Sequence, residues 1–224
     1  MILDGEPLPA GSFSAMTDAW RWCRASPFFA PAAVIRARVD PAREPGGRPV
    51  DCDVVARDVA ELGERLSAAI THAAIEAAAG RFQLFHAAGV AHRQSGASAA
   101  LIGPSGAGKS TAVLALGRQF DYLTDETVAV DRAGVVQPYR KPVSLRVDGE
   151  PWKRQLDPAS VGLSRGAAAR PVLRRLIVLD RRSGPTDVEV RPLDPIEAIE
   201  RVLPETSHVG RLPGALTAIK RLAD

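Results

Sequence analysis

The sequence predicts an α/β fold with a small β-rich lobe at its N-terminus. Two observations carry the α/β expectation: the apolar strand-like run SAALI (98–102) leads straight into the glycine-rich stretch GPSGAGKS (103–110), and the helix-forming run TAVLALGRQ follows at once. The order of the rest supports them, with β-branched segments succeeded by two helices. The chain has 224 residues, 46% of them hydrophobic and 25% charged, which suits one good-sized globular domain or a domain with a small appendage.

The N-terminal lobe is assigned to residues 1–57. It holds two β-like pieces, AVIRARV (33–39) and PVDCDVV (49–55), with PAREPGGRP as the turn or loop between them. Trp20, Trp22, Phe28 and Phe29 supply bulk for packing. The second domain is assigned to residues 58–224 and opens on a helix. Asp58 is its N-cap, Leu62, Leu66, Ala69, Ile70 and Ala73 recur at helical spacing, and Gly80 ends it.

Residues 82–92 and 98–102 then read as a β-hairpin around the turn RQSGA. The helix after the glycine-rich stretch should stop near Gly117. YLTDETVAV (122–130) reads as one strand, DRAG (131–134) as a turn, and VVQPYRKPVSLR as extended chain. Residues 149–170 are loop-rich. LRRLIVLD (173–180) reads as a strongly buried strand and VEVRPL (188–193) as another. Asp194 caps a helix with Pro195 at its first position, and GALTAIKRLA forms the last helix.

Several function classes are set aside by composition. The net charge is +3 and the isoelectric point about 9.2, but lysine occurs only four times, the charges alternate in sign along the chain, and no nucleic-acid-binding motif is present. No nucleic-acid partner is expected. Cys23 and Cys52 belong to no CxxC or Cys/His cluster, which argues against a disulfide framework or a thiolate metal site and fits a reducing compartment. The opening MILDGEPLPAGS lacks the basic-then-apolar pattern of a signal peptide. The alanine-rich run 59–80 carries Glu61, Glu64, Arg65, His72 and Glu76, so it is no membrane span. The expectation is a cytoplasmic protein with no membrane partner.

GPSGAGKS matches G-x-x-x-x-G-K-[ST], and each part has a physical reason. Glycines let backbone N–H groups curl around phosphates, and the helix that follows turns its positive end toward them. Lys109 is suited to the β- and γ-phosphates and the Ser110 hydroxyl to Mg²⁺. The expected nucleotide-binding set is Gly103, Ser105, Gly106, Ala107, Gly108, Lys109, Ser110 and Thr111.

What the loop would do chemically depends on the group that orients the nucleophile. The first candidate is Asp125–Glu126, at the mouth of the next strand, where ligands of open α/β sheets sit. One carboxylate could hold Mg²⁺ through water while the other takes a proton from an acceptor hydroxyl. The second is Asp180, closing an apolar strand. With GLSRG (162–166) upstream it is faintly similar to ABC transporter ATPases, but Arg181 stands where their catalytic glutamate would be and the spacing is too short for their helical subdomain. The third is His86, which shares a strand face with Leu84, Ala88 and Val90, where a lone histidine is more often a satisfied core residue.

The order histidine in a strand, hairpin, GxSGxGKS, short helix and acidic pair resembles the catalytic domain of the HPr kinase/phosphorylase family over residues 84–146. The resemblance implies the P-loop core shared with phosphoenolpyruvate carboxykinases, ATP and Mg²⁺ as cofactors, and transfer of phosphate to a serine of a peptide or small protein. It implies Asp125 as general base, Glu126 near the metal, His86 near the transferred phosphate, and the loop roles of Lys109 and Ser110. RKPVSLR (140–146) looks like a further shared stretch, in which Lys141 and Arg146 could contact phosphate or acceptor. HPr kinases are oligomeric, so self-association is implied as well.

Three departures shift the expected substrate away from HPr and remove the reverse phosphorylase reaction. The second acid is Glu126, Thr111 stands where a glutamate follows the KS pair, and the phosphorylase signature is missing. The chain is more similar to the shorter HPr-kinase-like proteins associated with lasso and other ribosomal peptides. Those continue past the point where this sequence stops at KRLAD, so a truncated or shortened member is expected. Two other readings stay open: a nucleotide-binding regulatory module without transfer, and a small-molecule kinase.

Overall fold

The computed structural model describes residues 11–24, 32–42, 53–166, 170–181 and 187–223. It is a mixed α/β structure. In chain order its elements are α1 (Ser12–Ala19), β1 (Ala37–Val39), β2 (Val54–Ala56), α2 (Val59–Ala78), β3 (Gln83–His92), β4 (Ala97–Ile102) and α3 (Lys109–Leu116). They continue with β5 (Phe120–Thr124), β6 (Thr127–Val130), β7 (Val136–Gln137), β8 (Val143–Leu145), β9 (Arg154–Leu156), β10 (Val172–Val178), α4 (Pro195–Val202), β11 (Thr206–Ser207) and α5 (Ala215–Ala223). Among the described residues no helix is long and apolar enough to cross a membrane.

The chain falls into two compact units. One comprises Met1–Ala77 with Arg140–Val161, the other Ala78–Tyr139 with Gly162–Asp224. Nearly all of α2 and the β8–β9 pair therefore group with the N-terminal residues, across the boundary near residue 57 that composition suggests.

In the first unit, Met16, Ala37, Val54, Ala56, Leu62 and Leu66 form the core. The segment expected to be β-rich holds a helix, α1, beside two three-residue strands that pair in parallel. Gly11 precedes α1 with φ 83° and no side chain caps it, so the usual N-terminal signal is missing from the sequence. Trp20 is buried and Trp22 partly so. Phe28, Phe29 and Cys52 lie outside the described residues.

Helix α2 forms as expected. Asp58 accepts a hydrogen bond from Glu61 N at 2.8 Å, and Glu61 reaches back to accept from Arg57 N at 2.8 Å, a capping box displaced by one residue. Leu62 and Leu66 are buried on its core face.

The second unit is built on a seven-stranded sheet in the order β10-β4-β3-β6-β7, with β5 and β11 also pairing with β3. The β3–β4 hairpin has the expected position, with Ala87 opposite Ile102 and Ala91 opposite Ser98. On its other side β3 pairs antiparallel with both β5 and β6. The run expected as one strand, 122–130, is thus two strands interrupted at Asp125–Glu126. β10 runs parallel to β4.

One face of the sheet carries Phe85, Ala87, Ala91, Ala100, Ile102, Leu123 and Val128, packed with Val202 of α4 and Ile219 of α5. Helix α3 packs against β3. Asp194 caps α4 by accepting from Ile196 N and Glu197 N at 2.9 and 3.0 Å, with Pro195 at N1. The sheet's edges also meet: Val135 bridges Val172, Val136 N donates to Pro171 O at 2.8 Å, and Leu173 N donates to Gly134 O at 2.8 Å.

Two expectations fail here. Residues 188–193 form no strand, and Val188 and Val190 are 92% and 87% exposed. Among the described residues no strand pairs with their alternating pattern. β10 is half-exposed rather than strongly buried, because only Leu173 is enclosed while Arg174, Arg175 and Ile177 face solvent. It lies at the end of the sheet order, so one flank lacks the cover that an interior strand receives.

Glu61 gives a direct test of the α2 start. The Arg57 N–H holds its carboxyl below the ordinary carboxylate value despite burial, with the Arg57 and Arg65 side chains adding attraction. The folded state therefore favours the carboxylate, so this stabilisation is present above the unfolded value of about 4.3 and is lost as pH falls through the lower folded value. Glu61→Gln should cost about 1–2 kcal/mol in urea unfolding near neutral pH, and the difference from wild type should shrink toward pH ~3.

Candidate functional site

The residues singled out from sequence meet at one level of the sheet, and strand register puts them there. β4 ends at Ile102, opposite Ala87, so the next residue of each strand brings Gly103 beside His86. On the other flank His86 faces Thr127, and Ala87 N donates to Glu126 O at 3.1 Å. β10 closes the row: Leu179 N donates to Ile102 O at 2.7 Å, which places Asp180, exposed, just beyond the start of the loop. Asp180, Gly103, His86 and Asp125–Glu126 thus stand side by side on neighbouring strands, His86 within β3 and the others just past the ends of β10, β4 and β5.

The loop has requirements only glycine meets. Gly106 and Gly108 have φ of 86° and 96°, in the left-handed region. At Gly103 the constraint is space, since a Cβ would lie 2.9 Å from Ala107 Cβ and 3.4 Å from Leu179 O. Ala107 N closes a turn onto Pro104 O at 3.1 Å, and Gly108 then starts α3. The first-turn amides of a helix have no intrahelical acceptor, so a loop of this form followed by a helix can present N–H groups to an anion.

Lys109 is buried at the base of the loop, where its Nζ donates to Gly103 O and, at 3.1 Å, to Pro104 O. Ser105 and Thr111 are exposed, while Ala107 and Ser110 are partly covered.

The acidic pair is divided between two environments. Asp125 is 4% exposed; its Oδ2 accepts from Ser110 Oγ at 3.4 Å and its Oδ1 from Tyr122 Oη at 3.1 Å. Glu126 is about one-third exposed, with Oε1 3.7 Å from His86 Nδ1 on a similarly exposed ring. The strand break that separates them is held by Thr124, whose Oγ1 accepts from Glu126 N at 3.1 Å and Thr127 N at 3.2 Å. Ser110 and Asp125 together offer hard oxygen donors of the kind magnesium takes. Among the described residues no group of three or more His, Cys, Asp or Glu could hold a metal ion, and magnesium sites on nucleotides commonly use one or two protein oxygens with phosphate and water.

Other sequence candidates lie elsewhere. In GLSRG, Leu163 packs within reach of Gly117 at the end of α3, and Ser164 bridges Asp121 on β5, at the far end of that strand from the acidic pair. Lys141 and Arg146 belong to the first compact unit. Lys141 is fully buried and donates to Pro142 O and Ser144 Oγ, both at 3.0 Å, whereas Arg146 is exposed.

The residues that sequence reasoning missed are Tyr122 and Thr124. Both lie within three residues of the acidic pair, but nothing in the spacing marks either as its hydrogen-bond partner. Comparison with protein-family models, with curated proteins and with solved structures yields no match for this chain.

Tyr122 is fully enclosed and supports a buried carboxylate. Tyr122→Phe removes one donor to Asp125 and should lower stability by about 1–3 kcal/mol, read from the midpoint of urea unfolding.

Proposed function

We propose that this chain is an ATP-dependent kinase with a P-loop core of the HPr kinase/phosphoenolpyruvate carboxykinase type, transferring the γ-phosphate to a serine hydroxyl of a peptide or small protein. The observation that supports this reading best is the contact between Ser110, on the first turn after the glycine-rich loop, and Asp125, on the strand break. It joins the segment suited to phosphates with the segment suited to directing a nucleophile. Strand register adds His86 and Glu126 at the same level. The choice of serine and of ATP rests on the resemblance carried by residues 84–146.

On this reading the loop amides and Lys109 hold the triphosphate and draw charge from the γ-phosphoryl group. A magnesium ion, when bound, would neutralise further charge on the β- and γ-oxygens. The acceptor oxygen attacks the γ-phosphorus in line with the departing β–γ bridging oxygen. One carboxylate of the pair receives the hydroxyl proton, a new O–P bond forms, and ADP leaves with the electron pair of the broken bond. A short distance between reacting groups supplies much of the rate.

The deciding experiment incubates the protein with γ-labelled Mg·ATP and a lysate of the producing organism. Label on a discrete polypeptide, recovered as phosphoserine, is the expected result. Label released only as free phosphate would replace the kinase reading with that of a nucleotide-hydrolysing regulatory module. Lys109→Ala should weaken ATP binding by about tenfold or more, the loss of a charge-assisted contact, and an unchanged dissociation constant in titration calorimetry would remove Lys109 from the site.

A further inference from the structure

The two acids of the pair have unlike surroundings, and the roles they can play differ accordingly. Asp125 is enclosed, and each of its carboxylate oxygens already has a partner, Ser110 on one and Tyr122 on the other. A polypeptide hydroxyl arriving from solvent would have to enter that enclosure to reach either oxygen. Glu126 presents a partly exposed carboxylate, steadied by His86 at 3.7 Å and by the turn that Thr124 closes.

We propose, resting on the kinase reading, that Asp125 and Ser110 form the magnesium-side pair and that Glu126, positioned by His86, is the group that receives the acceptor's proton. This reverses the order that the resemblance implies, in which the first acid meets the acceptor and the second the metal. The reversal follows from the strand break. With β5 ending at Thr124 and β6 starting at Thr127, the two acids leave the regular pleat, so one turns under α3 and the other stays beside His86 at the surface.

The hard oxygen pair Ser110–Asp125 fits magnesium, which prefers oxygen ligands and keeps several waters. Glu126 is the catalytic residue in this scheme because it touches the acceptor. His86 is a positioning residue, acting through Glu126. In the transfer step the acceptor O–H bond breaks as its proton passes to a Glu126 carboxylate oxygen. The O–P bond to the γ-phosphoryl group forms, and the bond to the β–γ bridging oxygen breaks to leave ADP.

The test has two independent readouts on wild type, Asp125→Asn, Ser110→Ala and Glu126→Gln. The first is the dissociation constant of a fluorescent ATP analogue in EDTA and in magnesium. Wild type should bind more tightly in magnesium. Asp125→Asn and Ser110→Ala should both lose most of that gain, and Glu126→Gln should retain it. Ser110→Ala guards against a folding defect in the buried Asp125 variant, since the serine is only partly covered. The second readout is label transfer, which Glu126→Gln should reduce by about a hundredfold or more, and His86→Ala by less, through kcat rather than through ATP affinity.

Loss of the magnesium gain in Glu126→Gln with its retention in Asp125→Asn would overturn the assignment. So would wild-type transfer by Glu126→Gln. No transfer by wild type itself would sink the kinase reading and with it the acceptor role of Glu126, while the magnesium comparison would still decide the role of Asp125.

Discussion

A ten-residue strand in the middle of a sheet must have its main-chain groups satisfied on both sides, and that constraint on β3 organises the candidate site. Neither flank of β3 is served by a single strand. On one side β4 covers residues 87–91 and β11 covers 84–85; on the other β5 covers 89–92 and β6 covers 83–86. Both changeovers fall close to His86. Where a neighbouring strand stops, its chain must leave the sheet, and here one chain leaves as the glycine-rich loop and the other as the Asp125–Glu126 break. The site is the place where β3 exchanges partners on both flanks at once.

This explains which parts were legible in the sequence. The β3–β4 hairpin, the loop, the Asp58 and Asp194 caps and the last two helices depend on residues a few positions apart, so periodicity and capping chemistry reveal them. The division of 122–130 does not announce itself, because Thr, Asp and Glu in a β-branched run read equally as the polar face of one strand. β11 is two residues long and exists only because β3 has an edge left to satisfy. Residues 188–193 show the converse, a good alternating pattern that no strand among the described residues pairs against. The candidate site residues were legible as types, while the split of the acidic pair between a buried and an exposed position was not, since it depends on α3 and β3 meeting around the break.

Burying Asp125 costs free energy that its hydrogen bonds must offset. Asp125 Oδ2 accepts from Ser110 Oγ and Oδ1 from Tyr122 Oη, so neighbouring side chains carry part of that offset.

The junction between the two sheet edges, where Val135 meets Val172, lies at the end of β10 away from the loop. It acts as a clasp that turns the base of an open sheet into a hoop. A hoop offers no free rim for an additional strand, so sheet-to-sheet growth between copies of the chain is blocked there. Along β10 toward the loop, Arg174 and Arg175 are exposed, with a register irregularity between Leu173 and Arg175. Positive charge and a bulge are both poor templates for strand addition. The same seam that shapes the sheet thus also guards that end of it against polymerisation.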